Sequence, residues 1–125
     1  MAAQQRYPTI EDVLQYEEYL LDAVEKQVAA EANPRAEIVL RNLLVLLKGR
    51  SIKSFIDLLS KKKFSLSAFK KIQEIDDALD ELRVMRLNLP YPEERFAIDQ
   101  GKIKRNRRDI MTILLLGLFG FEWVK

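Results

Sequence analysis

The sequence predicts an all-α fold, a compact bundle of five or six helices forming a single domain over residues 1–125. Three observations lead there. Breakers are few, with 4 Gly and 4 Pro, which suits a handful of long helices better than many short strands. Capping residues stand directly before stretches in which apolar residues recur at helical spacing. No stretch alternates between apolar and polar with period two, so no strand is expected. Apolar residues make up 48% and charged residues 32% of the chain, a globular composition with enough length for one core.

The elements follow in order. Thr9 precedes Ile10, and Asp12 stands at the third helical position, an arrangement close to a capping box. Ile10, Val13, Leu14, Leu20, Leu21, Val24 and Val28 then mark one face of a helix reaching about Ala32, with Glu11, Glu18, Asp22 and Glu25 outside. Asn33 and Pro34 restart the chain as N-cap and first helical residue. The second helix carries Ile38, Val39, Leu40, Leu43, Leu44, Val45, Leu46 and Leu47; apolar nearly all round, it is expected at the centre. Gly49 is expected to close it in a left-handed conformation.

Ser51 is read as the cap of a short third helix with Ile52, Phe55, Ile56, Leu58 and Leu59 inward, ending at Lys61-Lys62-Lys63. Ser65 caps a fourth, with Phe64 and Phe69 placed as a hydrophobic staple and Ile72, Ile75, Leu79 and Leu82 as its apolar seam. That helix stops before Leu89-Pro90. Pro90-Tyr91-Pro92 reads as a stiff corner, followed by a turn or short helix over residues 92–100 closed by Gly101. Asn106 caps a last, apolar helix over residues 110–118, with Phe119, Phe121 and Trp123 beyond. The core is expected around Leu40, Leu43, Leu44, Leu47, Ile56, Leu59, Ile75, Leu79, Leu82 and Leu114.

Composition narrows the function. With no cysteine, disulfides, thiolate catalysis and thiolate metal sites are excluded. With no histidine, the commonest general acid–base group and the commonest metal ligand are missing as well. The expectation is therefore a binding protein, with no catalysis, metal or cofactor. Residues 1–6 lack the apolar core of a signal peptide. The most apolar stretch, residues 110–121, is interrupted by Thr112, Gly117 and Gly120 and falls short of the roughly twenty apolar residues a membrane span needs. It reads as a buried helix, with a membrane anchor flanked by the arginines before it as the alternative, and the expected compartment is the cytoplasm.

The net charge is only +2, but its distribution is blocked. Residues 1–33 and 72–100 each carry net −5, residues 34–71 carry +8, and residues 101–125 carry +4. The larger basic block includes Arg41, Lys48, Arg50, Lys53, Lys61, Lys62, Lys63, Lys70 and Lys71, mostly at helix ends and connecting turns, and is expected on one side of the molecule. The second consists of Lys102, Lys104, Arg105, Arg107 and Arg108 at the start of the last helix, where backbone N–H groups also point at anions. Arg107 and Arg108 oppose the dipole of that helix, which suggests an external anion, or pairing with Glu93, Glu94 or Asp99. Lys48, Arg50, Lys53, Lys61, Lys62, Lys63, Lys70, Lys71, Lys102, Lys104, Arg105, Arg107 and Arg108 are the candidate contacts to nucleic-acid phosphates. The plainer alternative is solvated cations complementing helix C-termini, or pairs with the acidic blocks across helices.

Tyr7, Tyr16, Tyr19, Tyr91 and Trp123 are candidates for base stacking, each with a structural role as its alternative: Tyr16 and Tyr19 flank the apolar face of the first helix, and Tyr91 is locked between prolines. Phe64 and Phe69, the aromatics inside a basic run, read as core. Backbone contact rather than base-specific readout is expected.

A small helical chain without His or Cys, carrying these lysine and arginine clusters on a mixed-charge surface, resembles the small subunit of CRISPR ribonucleoprotein effector complexes. The resemblance covers the whole chain in character and brings no motif, so no residue role is carried over. It implies a non-catalytic subunit, in several copies, holding the guide or target strand, single-stranded RNA or DNA, by its phosphate backbone. In some systems that subunit arises from within the gene of the large subunit. The rival expectation is a helical protein–protein interaction, adaptor or assembly module of the death-fold kind, in which a basic face meets the acidic face of another subunit or copy.

Overall fold

The computed structural model describes residues 9–92, which form four helices and, among the described residues, no strand. The all-α class holds for these residues. The short helix expected over residues 92–100, the last helix over 110–118 and the core residue Leu114 lie outside them.

Helix α1 runs Ile10–Ala30. Thr9 Oγ1 accepts the N–H of Asp12 at 3.1 Å, and Asp12 Oδ2 accepts the N–H of Thr9 at 3.1 Å, so the capping box is complete. Val13, Tyr16, Leu20 and Val24, spaced three or four apart, bury its inner face. Helix α2, Pro34–Lys48, starts where Asn33 Oδ1 accepts the N–H groups of Arg35 at 2.9 Å and Ala36 at 3.4 Å. Pro34 occupies the first position, where no N–H is needed.

Helix α2 packs against α1, against α3 (Ser51–Ser60) and against α4 (Leu66–Val84), which makes it the centre the sequence predicts. It is not apolar-buried all round, however. Ala36, Val39, Leu40, Leu43 and Leu47 are buried, while Ile38 and Val45 are exposed. Of the expected core, Leu40, Leu43, Leu47, Ile56, Ile75, Leu79 and Leu82 are buried; Leu44 and Leu59 pack against the cluster half-buried. The cluster also takes in Val13, Tyr16, Leu20 and Val24 of α1, Val39 of α2, Ile52 and Phe55 of α3, Ile72 of α4, and Leu89 and Tyr91 beyond it.

The joint between α2 and α3 departs from the sequence reading. Gly49 is right-handed, at φ −74°. The left-handed residue is Arg50, at φ 56°. The chain therefore turns one residue later, Arg50 becomes the N-cap of α3, and Ser51 enters the helix. The Ser51 hydroxyl donates backward to the carbonyl of Leu46 at 2.9 Å, so it satisfies the end of α2 rather than the start of α3.

Helices α3 and α4 end in the same manner. Lys62 N–H donates to Leu59 and Lys63 N–H to Leu58, with Lys62 left-handed at φ 57°. Arg86 N–H donates to Arg83 and Leu87 N–H to Leu82, with Arg86 at φ 65°. Both are Schellman motifs in which a basic residue takes the place usually held by glycine. Beyond α4, Tyr91 folds back: its hydroxyl donates to the Leu87 carbonyl at 2.8 Å, and the Arg83 guanidinium lies 4.2 Å from its ring centroid.

Candidate nucleic-acid interface

The basic block of residues 34–71 divides in two when its side chains are followed to their partners. Up to Lys53 every cation is engaged. Arg35 pairs with Glu81, Arg41 with Glu37 at 2.7 Å, Lys48 with Glu25 at 3.7 Å, and Lys53 with Asp57 at 2.9 Å. Arg50 bridges Glu17 at 3.7 Å and Glu18 at 3.6 Å. Acids of α1 and α4 thus answer Arg35, Lys48 and Arg50 across helices, as the cross-helix alternative expects, whereas Arg41 and Lys53 pair with acids one turn along their own helices.

Past Lys53 the pattern reverses. Lys61, Lys62, Lys63, Lys70 and Lys71 are all exposed, and none forms an ion pair or side-chain hydrogen bond among the described residues. Three occupy the α3–α4 turn, and two stand on the outer face of α4 about 6 Å along its axis from Leu66. Asp57 is taken by Lys53, and Glu74, one turn beyond Lys70, bounds the group. Lys48 and Arg50 stand at the other end of α3, roughly 15 Å away by the rise of a ten-residue helix. The expected single basic side is thus two groups, one neutralised and one open. Lys102, Lys104, Arg105, Arg107 and Arg108 lie outside the described residues.

Local sequence fixes the open corner. Ser65 Oγ accepts the N–H of Ala68 at 3.2 Å and starts α4 immediately after the lysine run. Phe64 and Phe69 close the staple with ring centroids 5.8 Å apart. The left-handed Lys62 turns the chain sharply enough to bring the two helices together.

The aromatics distribute differently from expectation. Tyr16 and Tyr91 are buried in the core, in keeping with structural rather than stacking roles, and Tyr19 is half exposed. Tyr7 and Trp123 lie outside the described residues. Phe64, read as core, is 65% exposed, with Leu66 beside it at 60%. A staple residue precedes its helix and packs through one side only, so its position before the N-cap was the available signal.

Nothing local in the sequence marks Glu17. It is fully buried in α1, and its carboxylate accepts the N–H of Ile52 at 3.1 Å and of Lys53 at 3.2 Å, the first turn of α3. Arg50 gives α3 no side-chain cap, so a residue from another helix supplies the missing acceptor. Burial pushes the Glu17 carboxyl above its ordinary value, opposed by the Ile52 N–H, the Arg50 charge and the Lys53 N–H. The site is internal and saturated by the chain itself.

Among the described residues no cluster of carboxylates is arranged to hold a metal ion, and no helix is long and apolar enough to cross a membrane. No protein-family model, curated protein or solved structure matches this chain.

Proposed function

We propose that the chain is a non-catalytic, cytoplasmic nucleic-acid-binding subunit that holds the phosphate backbone of single-stranded RNA or DNA at the α3–α4 corner. One observation carries the reading: five lysines of the α3–α4 region have no partner among the described residues, while the cations of α2 and the α2–α3 joint are all paired. Clustered unpaired lysines repel one another, and a polyanion relieves that repulsion while releasing its condensed counterions. The basic residues 102–108 extend the same chemistry in sequence. In its particular form the proposal is a small subunit of a CRISPR-type ribonucleoprotein, a helical bundle of five or six helices contacting guide or target strand and neighbouring subunits.

The test is fluorescence anisotropy of labelled single-stranded RNA and DNA at several salt concentrations. Five lysine–phosphate contacts predict a slope of log K against log salt near −3.5, at about −0.7 per phosphate. Exchange of Lys61, Lys62 and Lys63 for Glu should weaken binding for every sequence alike. A second reading has its own support, since Ile38 and Val45 expose apolar surface one above the other on α2. If no salt-sensitive binding to RNA or DNA appears, alone or in a complex, the protein–protein adaptor takes its place.

A further inference from the structure

The lysine corner also presents apolar surface that phosphate contacts leave unused. Phe64 is 65% and Leu66 60% exposed, and in sequence they lie between Lys61-Lys62-Lys63 and Lys70-Lys71. The Phe64 ring is nevertheless fixed. It meets the buried Phe55 edge-on, with centroids 6.3 Å apart and planes at 79°, and leans on Phe69 with centroids 5.8 Å apart and planes at 45°. A held ring with most of its surface in water, next in sequence to lysines that have no partner among the described residues, is complementary to a planar group carrying negative charge beside it.

We propose that Phe64 is a base-stacking platform, so that an unpaired nucleobase packs on its ring while the adjoining phosphates meet the lysines. This rests on the nucleic-acid reading above and adds the feature that selects the strand. Every base has a π-face, so stacking tolerates any sequence, but only an unpaired, splayed base offers that face to a side chain. Leu66 supplies an apolar edge of the same platform. The exposed apolar foot is two side chains wide, which matches one base. A membrane-surface helix presents a longer apolar face, and α4 already buries its own, Ile72, Ile75, Leu79 and Leu82, in the core.

The experiment uses the full chain and two short labelled strands of equal length and phosphate number, oligothymidylate and its abasic counterpart. Wild type should bind the base-bearing strand about tenfold more tightly than the abasic one. Phe64→Ala should bring the two strands to the abasic level, and Phe64→Leu, which keeps apolar packing against Phe55 and Phe69, should do the same with unchanged helix content and melting. Equal wild-type affinity for both strands would overturn the platform and leave the phosphate reading standing. Absence of binding to either strand removes both. A Phe64 variant that weakens both strands by the same factor would reduce the residue to a structural role and overturn the proposal. Phe64-dependent binding to phosphatidylserine vesicles, without binding to oligonucleotides, would assign the corner to a membrane surface instead.

Discussion

Glu17 accepts the backbone N–H of Ile52 at 3.1 Å across 35 residues of sequence, so α1 provides the cap that α3 does not encode for itself. Removing that carboxylate leaves the buried N–H of Ile52 and the part-buried N–H of Lys53 without an acceptor and opens space in the core. Glu17→Ala should cost about 2–4 kcal/mol in urea denaturation, combining a lost cap with unsatisfied donors. A loss below half a kcal/mol would mean that water replaces the carboxylate.

The same residue sets a pH dependence. Burial holds its folded-state value above the ordinary 4.5, with Glu18 adding to the rise and Arg50 opposing it. Between the two values the folded state binds more proton than the unfolded one, so the stability this group contributes falls as pH rises through that window. Acidification from neutrality toward the ordinary value regains it. Denaturation midpoints of wild type and Glu17→Gln, followed across the acidic range, should therefore shift in favour of wild type as pH falls. A shift in the opposite direction would contradict the assignment.

Left-handed backbone is strained for Lys62 and relaxed for glycine. Lys62→Gly should raise stability by roughly 0.5–1 kcal/mol, seen as a higher melting temperature. Arg50→Gly should lower it, although the φ of 56° is equally unfavourable, because the guanidinium also bridges Glu17 and Glu18. Parallel changes in the two variants would mean that the ion pairs carry nothing.

Neighbouring leucines of α2 should separate cleanly. Leu43 is fully buried, and Leu43→Ala is expected to cost about 2–5 kcal/mol. Leu44 is half-buried, and its truncation should cost clearly less. Chemical denaturation of the two variants checks this.

Pairing state should also predict binding. Lys61→Gln, Lys63→Gln, Lys70→Gln or Lys71→Gln should each lower affinity for a single strand and flatten the salt slope by about 0.7. Lys48→Gln and Lys53→Gln, whose charges Glu25 and Asp57 already answer, should leave the slope unchanged in the same titrations.

Helix starts with their own capping side chains were legible in the sequence. Thr9, Asn33 and Ser65 each bond to N–H groups two or three residues on, and such contacts need nothing but local chain. The start of α3 was not, because its acceptor comes from Glu17, one carboxylate among the seven acids of residues 1–33, with no local mark. Gly49 misled for a related reason: glycine permits the left-handed conformation, but tertiary pairing of Arg50 placed the turn one residue later. At the interface, composition located the basic block yet could not divide it. Lys48 and Lys61 look alike in sequence, and only the packing of α1 beside α2 puts Glu25 within reach of one of them. The apolar chemistry of Phe64 points inward, whereas its position before Ser65 leaves a staple ring largely outside.

The open lysine corner has a kinetic consequence. Charges that are answered within the fold project little field into the solvent, whereas those at the α3–α4 turn are left to act at a distance of about 8 Å, the Debye length at physiological ionic strength. An anionic partner diffusing toward this part of the molecule is therefore turned before it touches, and arrives at the corner more often than chance collision allows. Association rates should rise as salt falls, with orientation settled during the encounter and the contacts themselves governing how long the partner stays.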